Sequence, residues 1–162
     1  MPDATLDLAT EPTISHTSPP VSQPLPPIVP LGEEALPEAL TLLEGTYWNE
    51  GIAPEAVGRA ILASTVWVGA REPSGALVAM ARVLSDTVKV AWIFDVIVRP
   101  DWRGKGLAQA LMRAMLEHPA VRHVRKVRLG TRDAHGLYAK FGFRSTTQAL
   151  HVVEMVLERA SL

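Results

Sequence analysis

Over residues 88–118 the chain changes its period, and that change most restricts what it can fold into. Val88, Val90, Trp92, Phe94, Val96 and Val98 alternate with their neighbours, as on one face of a strand, and Pro100 ends the run. From Gly104 to about His118 the spacing is helical instead, with Leu107, Leu111, Ala114 and Met115 on one side and Pro119 as the stop. Between the two lies Arg103-Gly104-Lys105-Gly106. A strand thus runs through a glycine-bearing turn into the start of a helix.

The flanking segments read as an α+β chain. Glu33 to about Thr46 carries Leu36, Leu40 and Leu43 at helical spacing, with Pro37 placing the start at Ala35 or later. Tyr47-Trp48-Asn49-Glu50-Gly51 breaks that pattern as a loop. Pro54 to about Ser64 restarts a helix whose stripe is Val57, Ile61 and Leu62. Thr65–Ala70 and Ala76–Leu84 read as strands around the turn Glu72-Pro73-Ser74-Gly75. With Val88–Val98 they make an antiparallel meander. Val124–Gly130 is a strand, Asp133 the N-cap of a short helix reaching Phe141, Gly142 its C-cap glycine, and Leu150–Leu157 a final strand.

Composition divides the 162 residues in two. Eight of the 13 prolines fall in residues 1–30, together with Asp3, Asp7 and Glu11 and no Lys or Arg. Residues 31–162 hold 16 basic against 14 acidic residues, a mildly basic body behind the overall charge of −1. We read residues 1–30 as an acidic, proline-rich arm of extended, solvated backbone, and residues 31–162 as the folded domain. A stretch near Thr13–Thr17 is where a short strand would pair the arm to the body.

The near-neutral charge argues against a nucleic-acid binder, which needs a basic excess for phosphate contacts. With no cysteine, a disulfide scaffold, a Cys-ligated metal site and a thiol nucleophile are excluded. Neither a basic start with an apolar run nor a span of roughly 18 apolar residues is present, so the expectation is a cytoplasmic protein without a membrane segment.

The glycine turn carries the chemistry. Gly104 and Gly106 let the backbone bend sharply and let an anion approach without meeting a Cβ. The first N–H groups of the helix lack internal partners and carry partial positive charge, and Arg103 and Lys105 add to it. A pyrophosphate suits such a site. The spacing is not that of the phosphate loop with its Lys-Ser/Thr ending, nor of the Gly-x-Gly-x-x-Gly dinucleotide fingerprint, since Gln109 stands at the third glycine.

In this context Arg103-x-x-Gly106-x-Ala108 resembles the phosphate-cradling motif of the GNAT superfamily of acyl-CoA-dependent N-acyltransferases. Asp133-Ala-His-Gly-Leu-Tyr138-Ala-Lys-Phe-Gly-Phe143 is similar to that family's late helix, which ends in Tyr-x-x-x-Gly-Phe. The two motifs occur in the family's order, and the resemblance spans roughly residues 31–160. It implies a mixed, mostly antiparallel twisted sheet with a splayed central strand pair and about four flanking helices.

The resemblance also implies roles. The backbone of Val96, Ile97 and Val98 would pair with the pantetheine arm of acetyl-CoA, and the amides of Arg103, Gly104, Lys105, Gly106, Leu107 and Ala108 would hold its pyrophosphate. Tyr138 would protonate the leaving thiolate, a task its phenol suits. Thr131 stands where many relatives keep an asparagine that contacts the cofactor. Asp95, set among apolar neighbours on the second face of its strand, and His135, one helical turn before Tyr138, are candidate bases for the acceptor amine. Tyr47, Trp48 and Glu50 lie where the family builds its acceptor pocket.

The activity so implied is direct transfer of an acetyl group from acetyl-CoA to a primary amine of a small molecule or peptide, with no metal. A cysteinyl acyl-enzyme is ruled out by composition. Two other readings stand beside it. One is a non-catalytic acyl-CoA-binding or regulatory module. The other is an RNA-directed acetyltransferase, for which Arg122, Arg125, Lys126, Arg128 and Arg132 would be the basic surface. Many relatives dimerise, so a homodimer belongs among the expectations.

Overall fold

In the computed structural model, residues 24–145 are described. Five strands form one sheet in the order β1-β2-β3-β4-β5. They are β1 (Val29–Pro30), β2 (Val66–Arg71), β3 (Leu77–Ser85), β4 (Val90–Val98) and β5 (Lys126–Arg128). The first four pair antiparallel and β5 joins β4 in parallel. The helices are α1 (Leu36–Leu43), α2 (Pro54–Leu62), α3 (Leu107–Glu117) and α4 (His135–Ala139). No helix among the described residues is long and apolar enough to cross a membrane.

The sheet separates two apolar clusters, which is why both helical layers are needed. On one face α3 buries Leu107, Leu111, Met112 and Met115 against Val66, Val68, Val83 and Ile93. On the other, α1 and α2 bury Ala35, Ala39, Leu43, Val57 and Ile61 against Trp67, Leu77 and Met80. A strand covered on both faces reads as a continuous apolar run, as Leu77–Ala81 does. Glu38 ties α1 to the sheet by accepting from Arg71 Nη1 at 2.6 Å and from the Leu77 amide at 3.0 Å.

Several expectations are corrected. The first helix starts after Ala35, as Pro37 implied, behind a 3₁₀ turn over Glu33–Ala35, but it ends at Leu43 rather than near Thr46. Leu62, expected in the buried stripe of α2, is 46% exposed, and Gly58 takes its place facing α1. The last two residues of the proline-rich segment form β1, pairing Val29 with Gly69 and Pro30 with Val68. Proline is tolerated there because β1 is an edge strand. The expected strands near Thr13–Thr17 and at Leu150–Leu157 lie outside the described residues.

Asp133 does not cap α4. Thr131 Oγ1 accepts from the Ala134 amide at 3.0 Å instead, and the helix is shorter than its pattern, starting at His135. Its end is as expected: Gly142 sits at φ +82, with the Gly142 amide donating to Ala139 and the Phe143 amide to Tyr138. This double closure anchors Tyr138 by its carbonyl, and the Phe143 ring meets the Tyr138 ring edge-on at 6.1 Å.

The largest departure from simple alternation is in β4. Phe94 stands opposite Arg82 and Ile97 opposite Met80, so Asp95 and Val96 together face the single residue Ala81. This is a β-bulge, and Asp95 takes the left-handed conformation at φ +52 that Asp tolerates better than most residues. Side-chain parity flips there. Ala91 and Ile93 face α3, Ile97 faces the α1 layer, and Val96 and Val98 return to the α3 face. The even-numbered residues of this strand therefore do not share one face along its whole length.

Candidate active site

Three features converge at the C-terminal end of β4. The first is a free backbone edge. β5 pairs with β4 only through Val90, Ala91 and Trp92, so from Ile93 onward that side of β4 has no strand partner among the described residues. The Arg99 amide donates to Val78 on β3, so by alternation Ile97 also points its amide to β3, while Val96 and Val98 face the open side. Ile97 is thereby removed from the residues expected to pair with pantetheine. The Val98 carbonyl is already engaged by Arg103 Nε at 3.0 Å. Val96 keeps both its groups on the open edge.

The second feature is the glycine turn. Gly104 and Gly106 adopt φ +73 and φ +96, and among the described residues nothing beyond its chain neighbours lies within 4 Å of where a Gly104 Cβ would stand. Gly106 is the N-cap of α3 and, among the described residues, no side chain caps the helix, so its first-turn amides face outward unpaired by any capping group. That arrangement fits a pyrophosphate, which the amides of Leu107 and Ala108 would hold with the helix dipole behind them. The Arg103 amide, expected to join them, donates instead to Pro100.

The turn is held rigidly from below. Trp102 is buried and donates from Nε1 to Glu72 Oε2, and Lys105 Nζ lies 4.5 Å from its ring centre. Arg99 bridges Glu72 at 2.7 Å and Asp101 at 2.7 Å. Hydrogen bonds from Arg99 keep both carboxyls below the ordinary carboxylate range.

The third feature is the bulge and what grips it. Asp95 accepts from Arg82 Nε at 2.5 Å and from Trp48 Nε1 at 3.0 Å, so each oxygen has a donor. The Arg82 guanidinium also stacks over Phe94 at 4.6 Å and reaches the Ala60 carbonyl. Next to Trp48, Tyr47 accepts from the Arg132 amide at 3.2 Å, and the Arg132 guanidinium lies 3.8 Å from the Tyr47 ring centre. The loop between α1 and α2 is thus pinned at one residue to β4 and at the next to the turn before α4.

Tyr138 completes the group. It is buried, and burial, with smaller contributions from Tyr47 and Asp133, pushes its phenol above the usual value of 10.0. His135 is exposed at the first position of α4. Thr131 spends its hydroxyl on the Ala134 amide. Glu50 lines a cavity of about 680 Å³ that opens between α1, the connecting loop and α2, together with Tyr47 and Glu44. Trp48 does not line it. Among the described residues, no three His, Asp or Glu side chains gather to hold a metal ion.

Sequence reading missed Arg82. The signal was present: it is the single charged residue in the otherwise apolar run Leu77–Leu84, and a cation placed there needs a buried partner.

The sequence profile of the acetyltransferase (GNAT) family fits residues 36–143. The chain belongs to the GNAT acetyltransferase family. A GNAT-family protein from Xanthomonas campestris pv. campestris is 32% identical, over 83% of this chain and 96% of that one, with a TM-score of 0.67. An acetyltransferase from Deinococcus radiodurans R1 is 26% identical over 82% and 87% of the two chains, with a TM-score of 0.63. A protein from Clostridium acetobutylicum solved with acetyl-CoA shares the fold at a TM-score of 0.61, with 18% identity over 78% and 94%. No curated protein sequence matches the chain. The chain is thus a GNAT acetyltransferase by sequence and by fold.

Proposed function

We propose that this GNAT protein moves an acetyl group from acetyl-CoA to a primary amine of a small molecule or peptide by direct attack. The observation that supports it most is the uncapped start of α3 behind Gly104 and Gly106, at the end of the free edge of β4. Acetyl-CoA supplies the activated thioester. The amides of Leu107 and Ala108 hold its pyrophosphate, and Val96 offers an amide and a carbonyl to the pantetheine arm.

In the reaction the neutral amine nitrogen forms a bond to the thioester carbon and the C–S bond breaks. The departing thiolate takes a proton from Tyr138, whose raised pKa keeps the phenol protonated through the neutral range. The Asp95 carboxylate, committed to Arg82 and Trp48, positions the bulge and the acceptor loop rather than taking a proton. The ammonium proton passes to solvent, at which His135 is exposed, and solvent returns a proton to the Tyr138 phenolate. Tyr47 and Glu50 line the acceptor side, and Trp48 anchors their loop to Asp95.

The test is a panel of amines, amino acids, polyamines and peptides with detection of released thiol. Acceptor-dependent thiol release that falls about 100-fold in Tyr138→Phe supports the reading. Full turnover in that variant at every pH would remove Tyr138 from the chemistry. Binding of acetyl-CoA with no release for any acceptor would leave only an acyl-CoA-binding module.

A further inference from the structure

We infer that the end of the proline-rich segment is part of the cofactor site, with Leu25 a positioning residue for the pyrophosphate turn. This rests on the acetyl-CoA reading above. The observation is a close approach: among the described residues, and apart from the turn's own chain neighbours and helix backbone, Leu25 Cδ1 is the one atom within 4 Å of where a Gly106 Cβ would stand, at 3.5 Å. Gly104 is open on its corresponding side. The turn therefore has one open glycine and one with an apolar wall, and the wall comes from Leu25, far earlier in the chain.

Leu25 is held there by residues 26–31. Pro26 and Pro27 fix their φ angles, so the link is stiff. Ile28 packs into the cluster beneath α3, Val29 and Pro30 pair with β2, and the Leu31 amide donates to the Trp67 carbonyl at 3.0 Å. Leu25 itself stays 38% exposed, more than core packing alone would leave it. The charge pattern agrees with a place beside an anion: between Glu11 and Glu33 the chain has no Asp or Glu. The acidic character of the arm stops before the segment that lies against the cradle.

The contact has two effects. A turn with two glycines has many conformations in the free protein, and a wall against Gly106 removes some of them before the ligand arrives. Covering one side of that backbone also lowers the local dielectric, which strengthens hydrogen bonds from the helix start to a phosphate oxygen.

The experiment uses the full chain with Leu25→Ala, Leu25→Asp and Leu25→Met. Acetyl-CoA binding is measured by calorimetry, and turnover is compared between acetyl-CoA and S-acetylpantetheine, which lacks the pyrophosphate. Leu25→Ala is expected to raise the Kd for acetyl-CoA about threefold. Leu25→Asp, which sets a negative charge beside the cradle, is expected to raise it roughly fivefold or more. Leu25→Met should bind like the parent. The KM for the amine and the kcat/KM with S-acetylpantetheine should stay within twofold in all three.

Equal acetyl-CoA affinity in parent and Leu25→Asp would overturn the inference. So would losses of the same size with S-acetylpantetheine, which would make Leu25 a general stability residue. A parent chain that binds no acetyl-CoA would sink both this inference and the reading beneath it.

Discussion

Replacing Asp95 by Asn separates a residue that shapes the site from one that performs its chemistry. The substitution keeps the side chain's size and shape, so no cavity opens. Asn also tolerates the left-handed backbone that residue 95 adopts at φ +52, so no new strain is added. What is lost is the charge. Among the described residues, Arg82 then lies buried with only the Ala60 carbonyl at 3.3 Å, the Ser64 hydroxyl at 3.5 Å and the face of Phe94 as partners. Removing one member of a buried ion pair costs about 3–5 kcal/mol. Since the amide oxygen can still accept from Trp48, the lower end applies.

At about 2–4 °C per kcal/mol for a chain of this size, a loss near ~3 kcal/mol lowers Tm by roughly 6–12 °C. Thermal denaturation followed by circular dichroism reads this directly. Acetyl transfer assayed well below the new Tm should lose less than about tenfold in kcat, with a raised KM for the amine as the Trp48 anchor loosens. Trp48→Phe alone removes one hydrogen bond to a charged group, about 1.5–3 kcal/mol, and the two changes combined should be less than additive. The positioning role would be refuted by an unchanged Tm with kcat down 100-fold and the acid limb of the pH–rate profile lost. That pattern belongs to a general base.

The same geometry sets other outcomes. In Tyr138→Phe the alkaline limb of kcat should vanish; in the parent, burial raises the phenol above 10.0, so its activity should fall only beyond that pH. Gly106→Ala forces a side chain into φ +96 against Leu25, and should cost about 1 kcal/mol or more in stability while raising the Kd for acetyl-CoA about tenfold, read by calorimetry. Hydrogen bonds from Arg71, then from the Leu77 amide, hold the Glu38 carboxyl below its usual 4.5. Its stabilising contribution is therefore complete above the unfolded value and lost as pH falls through the lower folded one. Glu38→Gln should flatten the dependence of Tm on pH in that acid window. Gly69→Ala brings a Cβ to 2.6 Å from the Ala79 carbonyl and should destabilise the chain by about 1–3 kcal/mol in denaturant titration.

Much of the fold was legible because it depends on local pattern. The meander, the switch from strand to helix at the glycine turn, and the C-cap at Gly142 each arise from period and backbone freedom within a few residues. Thr131 and Asp133 show where local reading stops. Both are N-cap residue types, and which one caps the turn into α4 depends on where the chain arriving from β5 begins to turn. Leu62 fits a helical stripe by spacing, yet it faces solvent because no described element packs on that side of α2.

By itself, the sequence determined the α+β order of elements, the anion-cradling turn and the helix carrying Tyr138, since each is encoded in adjacent residues. Tertiary structure alone decided three things. It gave Asp95 to Arg82 and Trp48, it set Tyr47 against Arg132, and it laid Leu25 on Gly106. In each case the partners come from different elements, and the β4 bulge makes alternation misreport which way residue 95 faces. One inserted residue in a strand reverses every side chain beyond it, and only the register with β3 reveals that insertion.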